Sequence, residues 1–158
     1  MNLSEWFGYQ LKAGGDGFVW AARQIPEQRQ NVTPPRGEWS ALRFVFHMFA
    51  YERDLVLPYM RHWSGEPVPT REVLDRKFYA QDEDFQTAQH LGMETLLTSF
   101  EQVRAEQIAL LPQFDERRWQ EIRETVWGNV SMRWIVSKTF QHTAQHTHDL
   151  MRMVLYWK

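Results

Sequence analysis

One stripe in the last third of the chain limits the fold more than any other feature. Ile135, Thr139, His142, His146, Asp149 and Met153 recur at steps of 4, 3, 4, 3 and 4. That is the period of an α-helix with one inward face; a strand would alternate every second residue. Ser131 stands before the stripe as a cap for the free backbone N–H groups, with Val130 and Ile135 placed as a hydrophobic staple. The face this helix must bury carries two imidazoles four residues apart, which puts their Cβ atoms about 5–6 Å from each other. Any fold for this chain has to pack helices against that face and give two inward imidazoles their polar partners.

Three further helical stripes supply the packing. In the first, Leu3, Phe7, Leu11, Gly14, Phe18, Ala21 and Ile25 repeat at steps of three and four. Gly14, Gly15 and Gly17 weaken it, either as a break or as points of close packing. Pro26 closes it, and residues 34–37, Pro-Pro-Arg-Gly, read as a loop. The second helix starts at Ser40, with Trp39 and Phe44 as its staple. Its inward stripe is Phe44, His47 and Tyr51, flanked by Met48 and Leu55, and Pro58 is expected to disturb it near its end. The third covers roughly residues 90–112, with Met93, Leu96, Leu97, Phe100, Val103, Gln107, Leu110 and Leu111 inward. Residues 64–89 read as a long polar connection holding one short helix near 71–78, and residues 113–130 as a second polar connection. A long crossover lets the helices on either side of it run parallel. The expectation is one all-α four-helix bundle over residues 1–158.

Composition removes several function classes. The 158 residues carry a formal net charge of −2, so no basic surplus points to nucleic acid and no basic helix to a membrane surface. No apolar run is long enough to span a bilayer, and the first residues lack the pattern of a signal peptide. The expected location is therefore cytoplasmic. The glycosylation-like triplets at Asn31 and Asn129 are read as chance. The absence of cysteine excludes disulfides, Cys-based zinc sites and a cysteine nucleophile.

The histidines carry the chemistry. A lone inward histidine is usually a satisfied core residue, and that reading would win for His47 alone. His142 and His146 together are different, because a shared metal ion satisfies both at once. His47, inward on a second helix, supplies a third nitrogen, as bundle-core metal sites draw ligands from facing helices. Three protein ligands leave a coordination position open, the catalytic rather than the structural pattern. Three neutral imidazoles suit zinc, nickel, copper or iron. Metal affinity is expected to fall as pH drops past about 6.5, where free histidine protonates.

Other residues rank lower. His148 lies about 200° around the helix from His146 and cannot join it; His62 and His90 read as surface or capping residues. Glu52, about 140° around from His47, is a poor direct ligand and reads as a salt-bridge partner. Asp149, three residues after His146, is placed either to orient its imidazole or to form an ordinary helix-face ion pair. The residues between His142 and His146 lack the glutamate base of zinc proteases, the Glu-x-x-His pairs of di-iron bundles are missing, and no glycine-rich phosphate loop is present.

Trp39-Ser40, His47 and Ala50-Tyr51-Glu52-Arg53 on the second helix, followed by Trp134-Ile135-Val136 and His142-x-x-x-His146 on the fourth, resemble the DinB-like family of DNA-damage-inducible bundle proteins over about the whole chain. The resemblance implies a bundle of up-down-down-up connectivity. It implies a divalent ion, commonly zinc or nickel, on His47, His142 and His146, and frequent homodimers. Some relatives are thiol-dependent transferases or isomerases using mycothiol, bacillithiol or glutathione. Where many relatives follow the last histidine with Arg-Gly, this chain has Thr147-His148.

Three functions follow. The first is a metal-dependent enzyme of thiol S-transferase or hydrolase type, acting on a small-molecule substrate with a low-molecular-weight thiol as co-substrate. Tyr51, Glu52 or Asp149 would assist around the ion. The second is a non-catalytic metal-binding bundle in stress response or metal handling, and the third a plain interaction bundle. Eight tryptophans and ten phenylalanines are many for one small bundle. Aromatics flanking the stripes, among them Trp6, Trp20, Trp134 and Trp157, are expected to stay exposed and to form a homodimer interface.

Overall fold

The computed structural model describes residues 1–37 and 39–156, with Phe78 and Tyr79 described by their backbone alone. Four long helical units build the bundle. The first, α1 (Leu3–Arg23), is capped by Asn2, whose side chain accepts from the Glu5 amide at 2.9 Å while Glu5 accepts from the Asn2 amide at 3.0 Å. It runs without a break through its glycines. Gly14 lies against Phe140, and Gly15 against Phe100 and Arg104, so these two positions serve close packing.

The second unit is α2 (Ala41–Tyr51), a single π-turn at Glu52–Val56, and α3 (Leu57–Trp63). Ser40 caps it, accepting from the Arg43 amide at 3.2 Å, and the Trp39 and Phe44 rings lie 5.2 Å apart as the staple required. Pro58 accounts for the π-turn. Its ring nitrogen cannot donate to the Asp54 carbonyl and its ring crowds that oxygen, so the helix widens by one residue ahead of it. The wider turn buries four of its five residues, Glu52, Asp54, Leu55 and Val56.

The crossover between the second and third units is more ordered than its polar sequence suggests. It holds α4 (Arg71–Tyr79), capped by Thr70, and α5 (Gln81–Ala88). Phe85 pins α5 to the core, and Arg43 of α2 binds Asp82. The third unit, α6 (Met93–Leu110), follows Gly92.

Residues 113–130 correct the expectation of a featureless connection. They hold a short helix, α7 (Glu116–Gln120), capped by Asp115, and an antiparallel hairpin of β1 (Ile122–Thr125) and β2 (Gly128–Ser131) in register Ile122↔Ser131 to Thr125↔Gly128. The strands are too short and too exposed for an apolar alternation to mark them. Gly128, at φ +92°, was the readable turn signal. The hairpin is tied down by the Tyr59 hydroxyl, which accepts from the Val126 amide at 2.9 Å. The last unit, α8 (Met132–Tyr156), begins where expected, with Ser131 Oγ accepting from the Trp134 amide at 3.2 Å.

Two apolar clusters give the connectivity. One joins Phe18–Ala22 of α1 and Ile25 just beyond it, Leu42–Ala50 of α2, Met93–Phe100 of α6 and Leu150–Met153 of α8. The other joins Phe7 and Leu11, Leu55–Trp63, Leu111, and Met132–Val136. Moving from the second cluster to the first, α1 and α8 ascend while the α2–α3 unit and α6 descend. The bundle is therefore up-down-down-up, and the long crossover lets the second and third units run parallel.

Between the clusters lies a polar layer. Arg104 Nε donates to Glu52 Oε2 at 3.0 Å, Nη1 to the Leu11 carbonyl at 2.6 Å, and Nη2 to Glu52 Oε1 and to Thr143 Oγ1, the latter at 2.8 Å. Thr143 in turn donates to the Thr139 carbonyl at 2.8 Å. Glu52 is fully buried. Glu52 is thus a salt-bridge partner, and its carboxylate is bound to Arg104 rather than turned to the histidines as a helper of their chemistry.

Candidate metal centre

Beside that layer, α2 presents His47 and α8 presents His142 and His146 toward one point. The Nε2 atoms of His47 and His142 are 3.3 Å apart, and those of His146 and His142 3.0 Å. One ligand atom from each residue lies within 4.8 Å of the other two. The rings are steered from outside. His47 Nδ1 is 3.0 Å from Gln81 Oε1, and His146 Nδ1 is 3.0 Å from Asp149 Oδ2. Both outer partners are acceptors, so both Nδ1 atoms carry the proton and both Nε2 atoms present lone pairs inward.

Three imidazole nitrogens thus face one another with too few protons between them. A proton on His142 Nε2 can satisfy one facing lone pair but not both, and it would leave His142 Nδ1 as an acceptor. That Nδ1 is buried with no hydrogen-bond partner among the described residues. A cation at the meeting point removes the conflict, because all three lone pairs then point at positive charge. The donor set therefore fits a borderline divalent ion.

Electrostatics agree with neutral rings. Burial pushes the His47 pKa down to about 4 and that of His142 to about 3, with the neighbouring imidazoles adding to the effect. Burial also lowers His146, opposed by its hydrogen bond to Asp149. Neutral imidazole is the form that binds metal.

Aromatic rings wall the cluster. Trp39 lies 5.0 Å from the His47 ring, Phe44 5.2 Å from His146, and Tyr51 4.4 Å from His142. Burial raises the Tyr51 phenol well above its ordinary range, so it is a neutral hydroxyl. Trp127, at the hairpin tip, packs 6.1 Å from Tyr51 and 5.3 Å from Tyr59. On the His146 side the cluster opens into a cleft of about 370 Å³, bordered by Trp39, Phe44, His146 and Asp149.

The structure thus brings together His47, His142, His146, Tyr51 and Asp149, and leaves Glu52 with Arg104. His148 and His90 are exposed, and His62 faces the Glu66 carbonyl at 2.9 Å. Thr147 donates to the Thr143 carbonyl at 2.8 Å, within its own helix. Gln81 and Trp127 went unmarked in the sequence. A glutamine in a polar crossover carries no periodic signal, and Trp127 arrives on a hairpin that the sequence reading did not contain.

This geometry is a bundle-core triad of imidazoles with a cleft beside His146, and a family match accompanies it. The chain belongs to the DinB superfamily, whose model matches residues 10–150. In structure it is similar to the mycothiol-dependent maleylpyruvate isomerase, with a TM-score of 0.70 at 15% identity over 94% of this chain. A variant of that isomerase with one histidine replaced by alanine matches at a TM-score of 0.68, 16% identity and the same 94% coverage. This chain spans 61% of the isomerase's length, and at such identity the likeness is one of fold. No curated protein matches it. No helix among the described residues is long and apolar enough to cross a membrane.

Proposed function

We propose that this protein is a divalent-metal-dependent enzyme of thiol S-transferase or hydrolase type, with His47, His142 and His146 as the metal ligands and zinc or nickel as the ion. The carrying observation is the convergence of three Nε2 atoms beside an open cleft. A bound ion in this setting supplies a lowered pKa to a thiol or water, giving a nucleophile at neutral pH. The protein's own residues do the rest. Gln81 and Asp149 hold the outer protons of His47 and His146, which fixes ring orientation and tautomer. Trp39 and Phe44 restrict water at the cleft. Tyr51, a neutral hydroxyl over His142, is a hydrogen-bond donor for a ligand or for a developing charge.

The chain has no cysteine, so any thiol arrives as a co-substrate. The solved relative is named for a mycothiol-dependent reaction, which supports the thiol branch of the reading. The cleft is what favours an enzyme over a metal-binding bundle without turnover, since a storage or regulatory site needs no room for a second molecule. The same reading puts the protein in the cytoplasm, where low-molecular-weight thiols are kept reduced. It also makes the protein a homodimer: Trp6 and Trp134 are each 40% exposed and Trp20 55% exposed, while Trp157 lies outside the described residues.

The test is elemental analysis of untagged protein purified without a metal column, followed by thiol-consumption assays with electrophiles. Stoichiometric zinc or nickel, lost in His142→Ala, supports the site. Protein that holds no metal and binds neither ion on titration ends the proposal. Light scattering that gives a monomer mass at micromolar concentrations rejects the dimer.

A further inference from the structure

The cleft beside His146 is not symmetrical. Its inner end is aromatic, formed by Trp39 and Phe44, and its outer end carries two arginines, Arg36 and Arg152. We propose that this outer end is an anion subsite, and that the ligand carries a carboxylate there while its apolar body lies along the cleft toward His146. The proposal rests on the metal-centre reading only for what happens at the inner end.

Both arginines are presented by defined local structure. Arg36 sits in a tight turn in which the Gly37 amide donates to the Pro34 carbonyl at 3.0 Å. A Cβ on Gly37 would lie 2.5 Å from Pro34 Cγ, so only glycine allows the turn to close against the proline ring. Pro35, the first of the two intervening residues, fixes its own φ and stiffens the turn further. Arg152 lies on α8, six residues beyond His146. Its Nη2 donates to the Tyr156 hydroxyl at 2.5 Å, and its guanidinium lies 5.6 Å from the centre of that ring. One arm of the guanidinium is thereby held, and among the described residues its remaining donors make no hydrogen bond.

Among the described residues the acidic group of the cleft is Asp149, and it forms no ion pair with either arginine. It stands midway along α8 between His146 and Arg152 and accepts from His146 Nδ1 at 3.0 Å. Because its carboxylate is engaged by His146, the cleft's direction rests on the arginines rather than on Asp149. At 1.5 Å of rise per residue, His146 and Arg152 are separated by roughly 9 Å along α8. A ligand that reaches both therefore needs an apolar spacer between its reacting atom and its carboxylate, of roughly that span less the reach of the two side chains. Two arginine forks suit a planar carboxylate, which each can grip in bidentate fashion.

The carboxylate can belong to a thiol co-substrate or to the molecule it attacks, and binding measurements separate these. Isothermal titration with the full chain uses 3-phenylpropanoate and its neutral amide, then glutathione and its diethyl ester. The expected result is that 3-phenylpropanoate binds about fivefold or more tightly than the amide, with a difference that shrinks in high salt. Arg36→Gln and Arg152→Gln, both at exposed positions, should each reduce that preference, and the double variant should abolish it. A preference for glutathione over its ester that exceeds the phenylpropanoate preference assigns the carboxylate to the thiol; the reverse assigns it to the electrophile. Equal affinity for acid and amide, or a preference that survives in the double variant, overturns the subsite. The same titration in His142→Ala keeps the two proposals apart. A carboxylate preference retained there, with metal binding lost, upholds the subsite independently of the metal. Metal bound by wild type without any carboxylate preference removes the subsite alone.

Discussion

Two of the polar clusters in the core of this bundle are balanced in opposite ways. In the layer around Arg104 every named charge has its partner inside the protein: Glu52 takes two arginine donors, while the Leu11 carbonyl and Thr143 take the others. A short distance along α8, three imidazoles turn lone pairs toward one another and leave His142 Nδ1 without a partner. The first arrangement is complete by itself, so its natural role is to fix how the four helices register. The second is incomplete by itself, and a group short of a positive charge is a group shaped for a ligand.

The largest effect should come from breaking the complete layer. Glu52→Ala leaves Arg104 buried without its counter-charge and is expected to cost about 3–5 kcal/mol in urea unfolding. Replacing both residues by apolar ones should recover much of that loss, since the charges then leave the core together. A Glu52→Ala protein as stable as wild type would mean that the layer is not what registers the helices.

The histidine cluster should respond differently. His142→Ala is expected to change metal-free stability little but to remove stabilisation by metal. In wild type that stabilisation amounts to about 2.7 kcal/mol at free metal one hundred times Kd. Thermal unfolding with and without zinc measures both. Equal zinc affinity in wild type and His142→Ala would show that the three histidines do not form the site.

Acid sharpens the contrast further. The folded-state pKa values of His47 and His142, about 4 and about 3, lie below the unfolded value near 6.5. Between those limits the unfolded chain binds more protons, so stability falls as pH falls. The loss for metal-free protein should be about 2 kcal/mol between pH 6.5 and 5.5, flattening below the folded values. Burial also moves the acid release of metal below the 6.5 expected of a free imidazole. Metal-free stability that stays flat over this range would mean that the rings are not buried neutral.

Smaller effects test the outer partners. Asp149→Ala removes the acceptor of His146 Nδ1 and should weaken metal binding about tenfold, with the fold intact. His148→Ala, on the exposed face of the same helix, should leave metal content unchanged. A loss of metal in His148→Ala equal to that in Asp149→Ala would shift the site to the wrong face of α8.

Much of this was legible before any coordinates. The stripes of α1, α2, α6 and α8 follow from a period of 3.6, the caps at Ser40 and Ser131 from residue type, and the inward face of His47, His142 and His146 from phase along their helices. Each is a local property, set by residues within a turn or two of one another. What escaped was non-local or too short to repeat. The hairpin is two strands of four residues, and Gln81 gives no periodic signal.

By itself, the sequence determined the four long helical stripes, where the second and the last begin, and which of their faces turn inward, because backbone hydrogen bonding and apolar periodicity are short-range. Only the tertiary structure decided that Glu52 pairs with Arg104, that Gln81 reaches His47 from the crossover, that Trp127 closes over Tyr51, and that Arg36 and Arg152 line one cleft. Those pairings join residues distant in the chain, and they depend on the register of packed helices, which no local pattern encodes.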